Sequence, residues 1–391
     1  MKYQNKCYHQ IIFSLLFIIF IPNITINIVS SIKSDTFIQK LKNKTTFSNI
    51  NNIITALQLG ANDPCEDKYF IHEIHLSNKN GYMMSVFDGH GGWVLSEYVN
   101  LLLYPYFLEE YNSKSNLEIN EEKKIVYSLQ KSISRIEEEF KLISYLKYQE
   151  GNKKYKNYGS CALITIVIDN KLYTSTLGDS KARLFSKENN DYKIYKYKKV
   201  SKVFNCRKKE EQKKLKEKWP NIADIYICKR EKVCYVKGRL QPTSALGDYY
   251  LKTIFFSLNY KKVNDDKFIE NQINSYEGPF IDNIADIKIY DLNKNDKYLI
   301  IGSDGLWDYL SSKQISNLLD NFIEDKNEEF YENKIYSNTD KIAFGLMKRV
   351  VGESAKKHNL DPLILLDIPL GKRLRRIHDD ITIIICDLSN F

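Results

Sequence analysis

The chain has 391 residues, 43% hydrophobic and 27% charged, and its net charge of +9 comes from 49 Lys and 9 Arg against 49 acids. That balance excludes a wholly disordered chain, a collagen-like chain and a polytopic membrane protein, leaving a globular protein of one large or two ordinary domains. Arginine, the residue nucleic-acid readers favour, is scarce, so the basic excess reads as Lys- and Asn-rich solvated loops and no nucleic-acid partner is expected.

Lys2 and Lys6 precede an apolar run from Ile11 to Ile21, interrupted by Ser14 alone, which stops at Pro22, with Ser30 and Ser31 beyond it. The run is too short to span a bilayer, and its order of charged, apolar and small residues matches a signal peptide over residues 1–31. Left uncleaved, the segment would be a membrane anchor and the chain's one contact with a membrane; a buried N-terminal helix is the other reading. Residues 32–56 hold Lys33, Lys40, Lys42 and Lys44 against the lone Asp35 and read as a leader or linker. Passage into the secretory pathway, with a lumenal or organellar destination, is the expectation.

From Leu57 onward, short β-like runs alternate with amphipathic stretches and no repeat period emerges. Tyr82–Phe87 is a strand that ends in Asp88-Gly89-His90-Gly91-Gly92. Trp93–Leu108 reads as a helix bent at its end by Pro105, and Ile125–Leu146 as a second helix with apolar residues at three- and four-residue steps. Leu163–Ile168 and Leu172–Leu177 flank Asp169-Asn170-Lys171, a hairpin signal, and the second strand runs into Gly178-Asp179-Ser180. Residues 187–237 turn basic and hydrophilic, with a helix near Lys208–Lys218, and read as an insertion or flap. Lys297–Ile301 runs into Gly302-Ser303-Asp304-Gly305, and the final strand, Ile381–Cys386, follows Asp379-Asp380. None of the seven cysteines forms the Cys-x-x-Cys pair of a structural zinc site. Cys161 and Cys386 sit in apolar, β-branched runs and read as small buried hydrophobes.

A single Asp-Gly marks a turn. Here several strands begin or end on Asp. If those ends share one rim of a sheet, their carboxylates can hold hard divalent cations.

These residues resemble the metal-dependent type 2C protein serine/threonine phosphatases. The resemblance spans about Leu57–Leu388. It is carried by Glu66-Asp67 in NDPCED, VFDGHGG at Val86–Gly92, GSCA at Gly159–Ala162 and LGDS at Leu177–Ser180, then by LQPTSALGD at Leu240–Asp248, SDGLWD at Ser303–Asp308 and HDDIT at His378–Thr382. The first and last motifs look like the pyruvate dehydrogenase phosphatase-like and plant-type branch.

The resemblance implies that residues 57–391 form one α+β catalytic domain. Its fold would be a central antiparallel β-sandwich flanked by helices on both outer faces, four layers αββα, with the site in a cleft at one end. It also implies two Mn²⁺ or Mg²⁺ ions about 3.5–4 Å apart whose shared hydroxide attacks phosphoserine or phosphothreonine directly. Asp88 would bridge the ions and the Gly89 carbonyl would hold one of them. Asp304 and Asp379 would complete the shell of the first ion, and Glu66, with Asp67 through water, that of the second ion. His90 would protonate the departing oxygen. Asp179 and Asp308 match positions for a weaker third metal, or else support the other ligands. Phosphoprotein substrates and a monomeric enzyme follow from the same resemblance, and Trp307 is expected to pack beneath the rim.

Three positions depart from the family pattern. Asn62 stands where an Arg commonly grips phosphate, Ser244 replaces the usual Arg of the SALGD motif, and Asp380 replaces a common Asn. The alternative reading is a pseudophosphatase that binds phosphoproteins on the same fold without hydrolysing them. Against it stands the full set of mutually repelling carboxylates, which are costly neighbours without metal.

Overall fold

The computed structural model of the chain describes residues 36–37, 39–113, 120–187, 194–231, 233–257, 278–324, 336–389 and 391. The apolar run at 11–21 lies outside them, and no helix among the described residues is long and apolar enough to cross a membrane.

Strands rich in Ile, Val and Tyr pair into two main antiparallel sheets. The larger runs β1 (Thr45–Ile50), β2 (Ile54–Leu59), β16 (Ile381–Asp387), β15 (Asp296–Gly302), β9 (Lys181–Ser186) and β10 (Lys196–Lys199). The other runs β14 (Asp286–Asp291), β8 (Lys171–Leu177), β7 (Ala162–Ile168), β4 (Lys79–Phe87) and β3 (Lys68–Leu76), and the two-residue strands β13 (Leu246–Gly247), β6 (Gly159–Ser160) and β5 (Gly89–His90) pair in that order beside them. The β7–β8 turn carries Asp169 and Asn170 at φ 52° and 57°, a left-handed pair that suits a tight hairpin.

Side chains alternate between faces along each strand. On β7, Leu163 and Val167 join the layer between the sheets, while Ile164 and Ile166 face outward. On β16, Ile384 and Cys386 point between the sheets and Ile381, Ile383 and Ile385 outward. The outer face of the five-stranded sheet is covered by α1 (Val94–Ser113) and α2 (Glu121–Gln149). After α3 (Lys209–Lys218) come α4 (Ser312–Glu324) and α5 (Asn338–Lys357), which cover the six-stranded sheet. The result is the four-layer αββα arrangement, with Trp307 packed in the helix-side core and its Nε1 donating to the Gly302 carbonyl at 3.0 Å.

Three boundaries differ from the sequence reading. The helix expected to end at Leu108, bent by Pro105, runs on past both to Ser113. Phe107 and Tyr111 beyond the proline bury against the sheet. At about 2 kcal/mol each, they offset the roughly 3 kcal/mol that an interior proline costs. The leader expected over residues 32–56 is shorter, because Leu41 is buried in the helix-side core, β1 is the edge strand and β2 begins at Ile54, before 57. The insertion expected over 187–237 begins later, since β10 pairs with β9 and Tyr195 and Val200 are buried in the sandwich.

Beyond Phe204 the chain leaves the sheets and builds a subsidiary core from Cys206, Leu215, Ile225, Cys234, Val236 and Leu240, joined by Ile281. Its hairpin, β11 (Tyr226–Arg230) and β12 (Val233–Val236), sets Cys228 opposite Cys234, and the two form a disulfide. The segment is therefore an ordered subdomain, where the sequence suggested a solvated flap.

Candidate active site

Antiparallel pairing explains why distant acids meet. Phe87 at the end of β4 pairs with Lys68 at the start of β3, so Asp88 neighbours Glu66 and Asp67. Gly302 near the end of β15 pairs with Ile383 near the start of β16, so Asp304 neighbours Asp379 and Asp380. Ala162 pairs with Leu177, which brings Asp179 beside Cys161. All these strand termini open on the same end of the sandwich, into a cleft of about 580 Å³ lined by Asp88, Gly89, His90, Asp179, Asp304, Asp308 and Asp379.

Within the cleft, the Asp304 N–H donates to Asp88 Oδ2 at 3.4 Å. Burial, then the charges of Asp304, Asp67, Asp179 and Asp379, push the Asp88 carboxyl well above its ordinary range. Asp304 is raised likewise by burial and by Asp179 and Asp379. Burial lifts Asp379 to about 6 although Arg375, 2.5 Å away, opposes it. Carboxylates that suppress one another's ionisation are relieved by a cation, and this hard-oxygen set suits Mg²⁺ or Mn²⁺. Glu66 and Asp67 do not line the cleft. They stand beside it on the loop entering β3, with Asp67 buried and accepting from the Thr382 hydroxyl at 2.7 Å. Gly89 is required at its position, because a Cβ there would collide with the Glu66 carbonyl and the Ser96 hydroxyl.

His90 is not an isolated loop histidine. Its Nε2 lies 2.6 Å from Oδ2 of Asp248, whose side chain is 1% exposed. Burial of the ring opposes protonation, but Asp248, through charge and hydrogen bond, and then Asp179 and Glu66 outweigh it and raise the imidazole above its ordinary value. Gly159 makes room for the pair, since a Cβ there would strike both His90 Nε2 and the Asp248 carboxylate. Asp248 is itself positioned from α2. Glu137 accepts the Gly247 N–H at 2.8 Å and pairs with Lys252 at 2.6 Å, both side chains nearly buried.

The departures from the family pattern have structural reasons. Asp380 turns away from the cleft and accepts the N–H groups of Ala61, Asn62 and Glu66 and the Asn62 side chain, which fixes the loop that carries Glu66. Burial would raise its carboxyl, but these four bonds hold it below the ordinary range. Asn62 is thus spent on Asp380. Ser244 is buried and its hydroxyl accepts the Gly178 N–H at 3.2 Å, tying the SALGD loop to the turn before Asp179.

Four participants escaped the sequence reading. Asp248 was quoted in its motif without a role, and Glu137 lies on a helix far from any motif. Cys161 is buried as expected, yet its Sγ donates to Asp179 Oδ1 at 3.3 Å, and Asp88, Cys161 and Asp179 offer ligand atoms within 4.8 Å of one another. Arg207, from the subdomain, pairs with Asp308 at 3.2 Å.

A cleft of converging aspartates with an adjacent carboxylate-held histidine, on an αββα sandwich, defines a metal-dependent phosphoester hydrolase. The family model described as Protein phosphatase 2C matches residues 58–355. The chain belongs to the protein phosphatase 2C family and is a metal-dependent protein serine/threonine phosphatase. It is 29% identical over 321 residues to "Probable protein phosphatase 2C 79" of Arabidopsis thaliana, covering 80% of this chain and 73% of that one. With "Probable protein phosphatase 2C 78" of Oryza sativa subsp. japonica it shares 27% over 312 residues, 78% of this chain and 70% of the relative. These plant relatives agree with the plant-type resemblance. The fold matches serine-threonine phosphatase 2C from Toxoplasma gondii with a TM-score of 0.57 at 12% identity, over 88% of this chain and 98% of that one.

Proposed function

We propose that Glu66, Asp88, the Gly89 carbonyl, Asp304 and Asp379, with Asp67 through a water, hold two Mg²⁺ or Mn²⁺ ions. The observation that carries this reading is the common cleft in which burial and the charges of Asp304 and Asp379 push up the Asp88 carboxyl, and burial and the charge of Asp379 push up that of Asp304. Such ions, when bound, supply neutralisation of phosphoryl charge and acidification of a water. His90 holds the proton for the departing serine or threonine oxygen. With Nε2 donating to Asp248, the proton on Nδ1 remains for transfer. Asp179 is engaged by Asn205 at 2.5 Å and by Cys161, and Asp308 by Arg207, which favours supporting roles for both over a third ion site.

The substrates are phosphoproteins and the enzyme acts as a monomer. The Cys228–Cys234 disulfide supports an oxidising compartment, in keeping with a secretory leader at residues 1–31 that would tether the enzyme to a membrane if retained. A fluorescent fusion of the first 60 residues separates lumenal, organellar and membrane-held destinations.

The direct test is phosphate release from a phosphothreonine peptide by protein beginning at Ser31. Release should require Mn²⁺ or Mg²⁺ and stop with EDTA. Folded, metal-binding protein that releases no phosphate would restore the pseudophosphatase reading.

A further inference from the structure

The nine arginines are not spread evenly. Four of them, Arg207, Arg239, Arg375 and Arg376, line the catalytic cleft, whereas of 49 lysines Lys357 is the one among its described lining residues. A general basic excess would have brought lysines. The guanidinium is the cation whose planar fork grips a carboxylate or phosphate at two points.

Two of the four are already engaged, Arg207 with Asp308 and Arg375 with Asp379. The other two have no carboxylate partner among the described residues. Arg239, from the subdomain, is exposed and lies over the Tyr250 ring with its Cζ 5.7 Å from the centroid. Arg376, just past the short helix Lys372–Arg375, is exposed as well. The cleft therefore combines an acidic floor with unpaired guanidinium groups contributed by two separate segments. The floor suits cations and the reacting phosphoester. The free guanidinium groups are left for anions elsewhere on the substrate.

We propose that Arg239 and Arg376 are specificity-determining residues that bind negative charges flanking the phosphorylated serine or threonine, so that the enzyme selects acidic phosphosegments. The anions are side-chain carboxylates or a second phosphate. This inference rests on the phosphatase reading above and gives it a substrate class.

The test compares wild type, Arg239→Gln, Arg376→Gln and the double variant on phosphothreonine peptides with Glu, Gln or Lys flanks and on a doubly phosphorylated peptide. The readout is the ratio of kcat/KM for each anionic peptide over the neutral one within each protein, which a general loss of activity leaves unmoved. Wild type should show a ratio of about five to ten, as two partly screened ion pairs allow. The double variant should bring it to about one to two, and high salt should shrink it in wild type. The larger of the two ratios identifies carboxylate or phosphate as the preferred flank. A wild-type ratio near one, or an unchanged ratio in the double variant, overturns the proposal. If neither peptides nor p-nitrophenyl phosphate are hydrolysed with Mn²⁺, the phosphatase reading fails separately. Fluorescence anisotropy with the same peptides then decides: tighter binding of anionic peptides by wild type than by the double variant supports the inference, and equal binding overturns it.

Discussion

The Nε2 of His90 and Oδ2 of Asp248 meet at 2.6 Å although the residues stand 158 positions apart. That contact converts a loop histidine into an acid whose proton is retained to higher pH, because a raised imidazole pKa extends the protonated form upward. Asp248→Asn should lower the His90 pKa, so the basic limb of the kcat/KM profile on a phosphoserine peptide moves to lower pH. Turnover of that peptide should fall by about 10²-fold, the low end of what a positioned acid contributes. Aryl phosphates, whose leaving groups need little help, should lose much less. A pH–rate series on both substrates checks this, and equal losses would reject the general-acid role.

Glu137 and Lys252 form a nearly buried pair behind the site, and Glu137 also satisfies the Gly247 N–H. Glu137→Ala leaves an unpaired buried ammonium and an orphaned amide. Denaturant unfolding should show a loss of about 3–5 kcal/mol, the usual cost of breaking a buried pair.

Asp380 anchors the loop that presents Glu66, and its depressed carboxyl pKa gives its stabilisation a sign. The contribution is full above the unfolded pKa and is lost as pH falls through the lower folded value. Asp380→Asn should cost about 2–4 kcal/mol near neutrality, from weakened charged hydrogen bonds, and less in acid. Denaturation curves at two pH values measure it. Since Asn62 faces Asp380, Asn62→Arg should leave KM for a phosphopeptide within about twofold.

The cleft carboxyls carry the opposite sign. A group whose folded pKa is raised is stabilising below its unfolded pKa and loses that contribution as pH rises through the folded value, near 6 for Asp379. Metal-free protein should therefore bear its greatest internal repulsion above pH 6. Mn²⁺ at about a hundredfold excess over Kd should add roughly 2.7 kcal/mol, and the rise in Tm should be larger at pH 7.5 than at pH 5.5. Calorimetric scans with EDTA or Mn²⁺ at the two pH values test this.

Much of the fold was readable because buried strands advertise themselves. The near-continuous apolar runs Leu163–Ile168 and Ile381–Cys386 report strands buried on both faces, and acidic turn residues mark where such strands start or stop. β1 and β10 were missed for the converse reason. TTFSNI is polar and half-exposed, and KYKK at Lys196–Lys199 is exposed throughout, so neither edge strand carries a hydrophobic pattern. The acidic motifs named candidates, but the partners that give them function are contacts between remote segments. Asp380 reaches Ala61 across 319 positions and Glu137 reaches Gly247 across 110, and no local spacing encodes either. The orientation of Asp380 was open in the sequence because a carboxylate beside a ligand serves equally well as a ligand or as an acceptor for backbone amides.

The central claim, that Asp88, Asp304 and Asp379 share a pair of divalent ions, is tested most directly by anomalous diffraction at the manganese edge from crystals grown with Mn²⁺. Two peaks about 3.5–4 Å apart, both within ligand distance of Asp88, one of them also touching Asp304 and Asp379 and the other Glu66, are expected. Manganese bound elsewhere, with none within ligand distance of Asp88, would contradict the account.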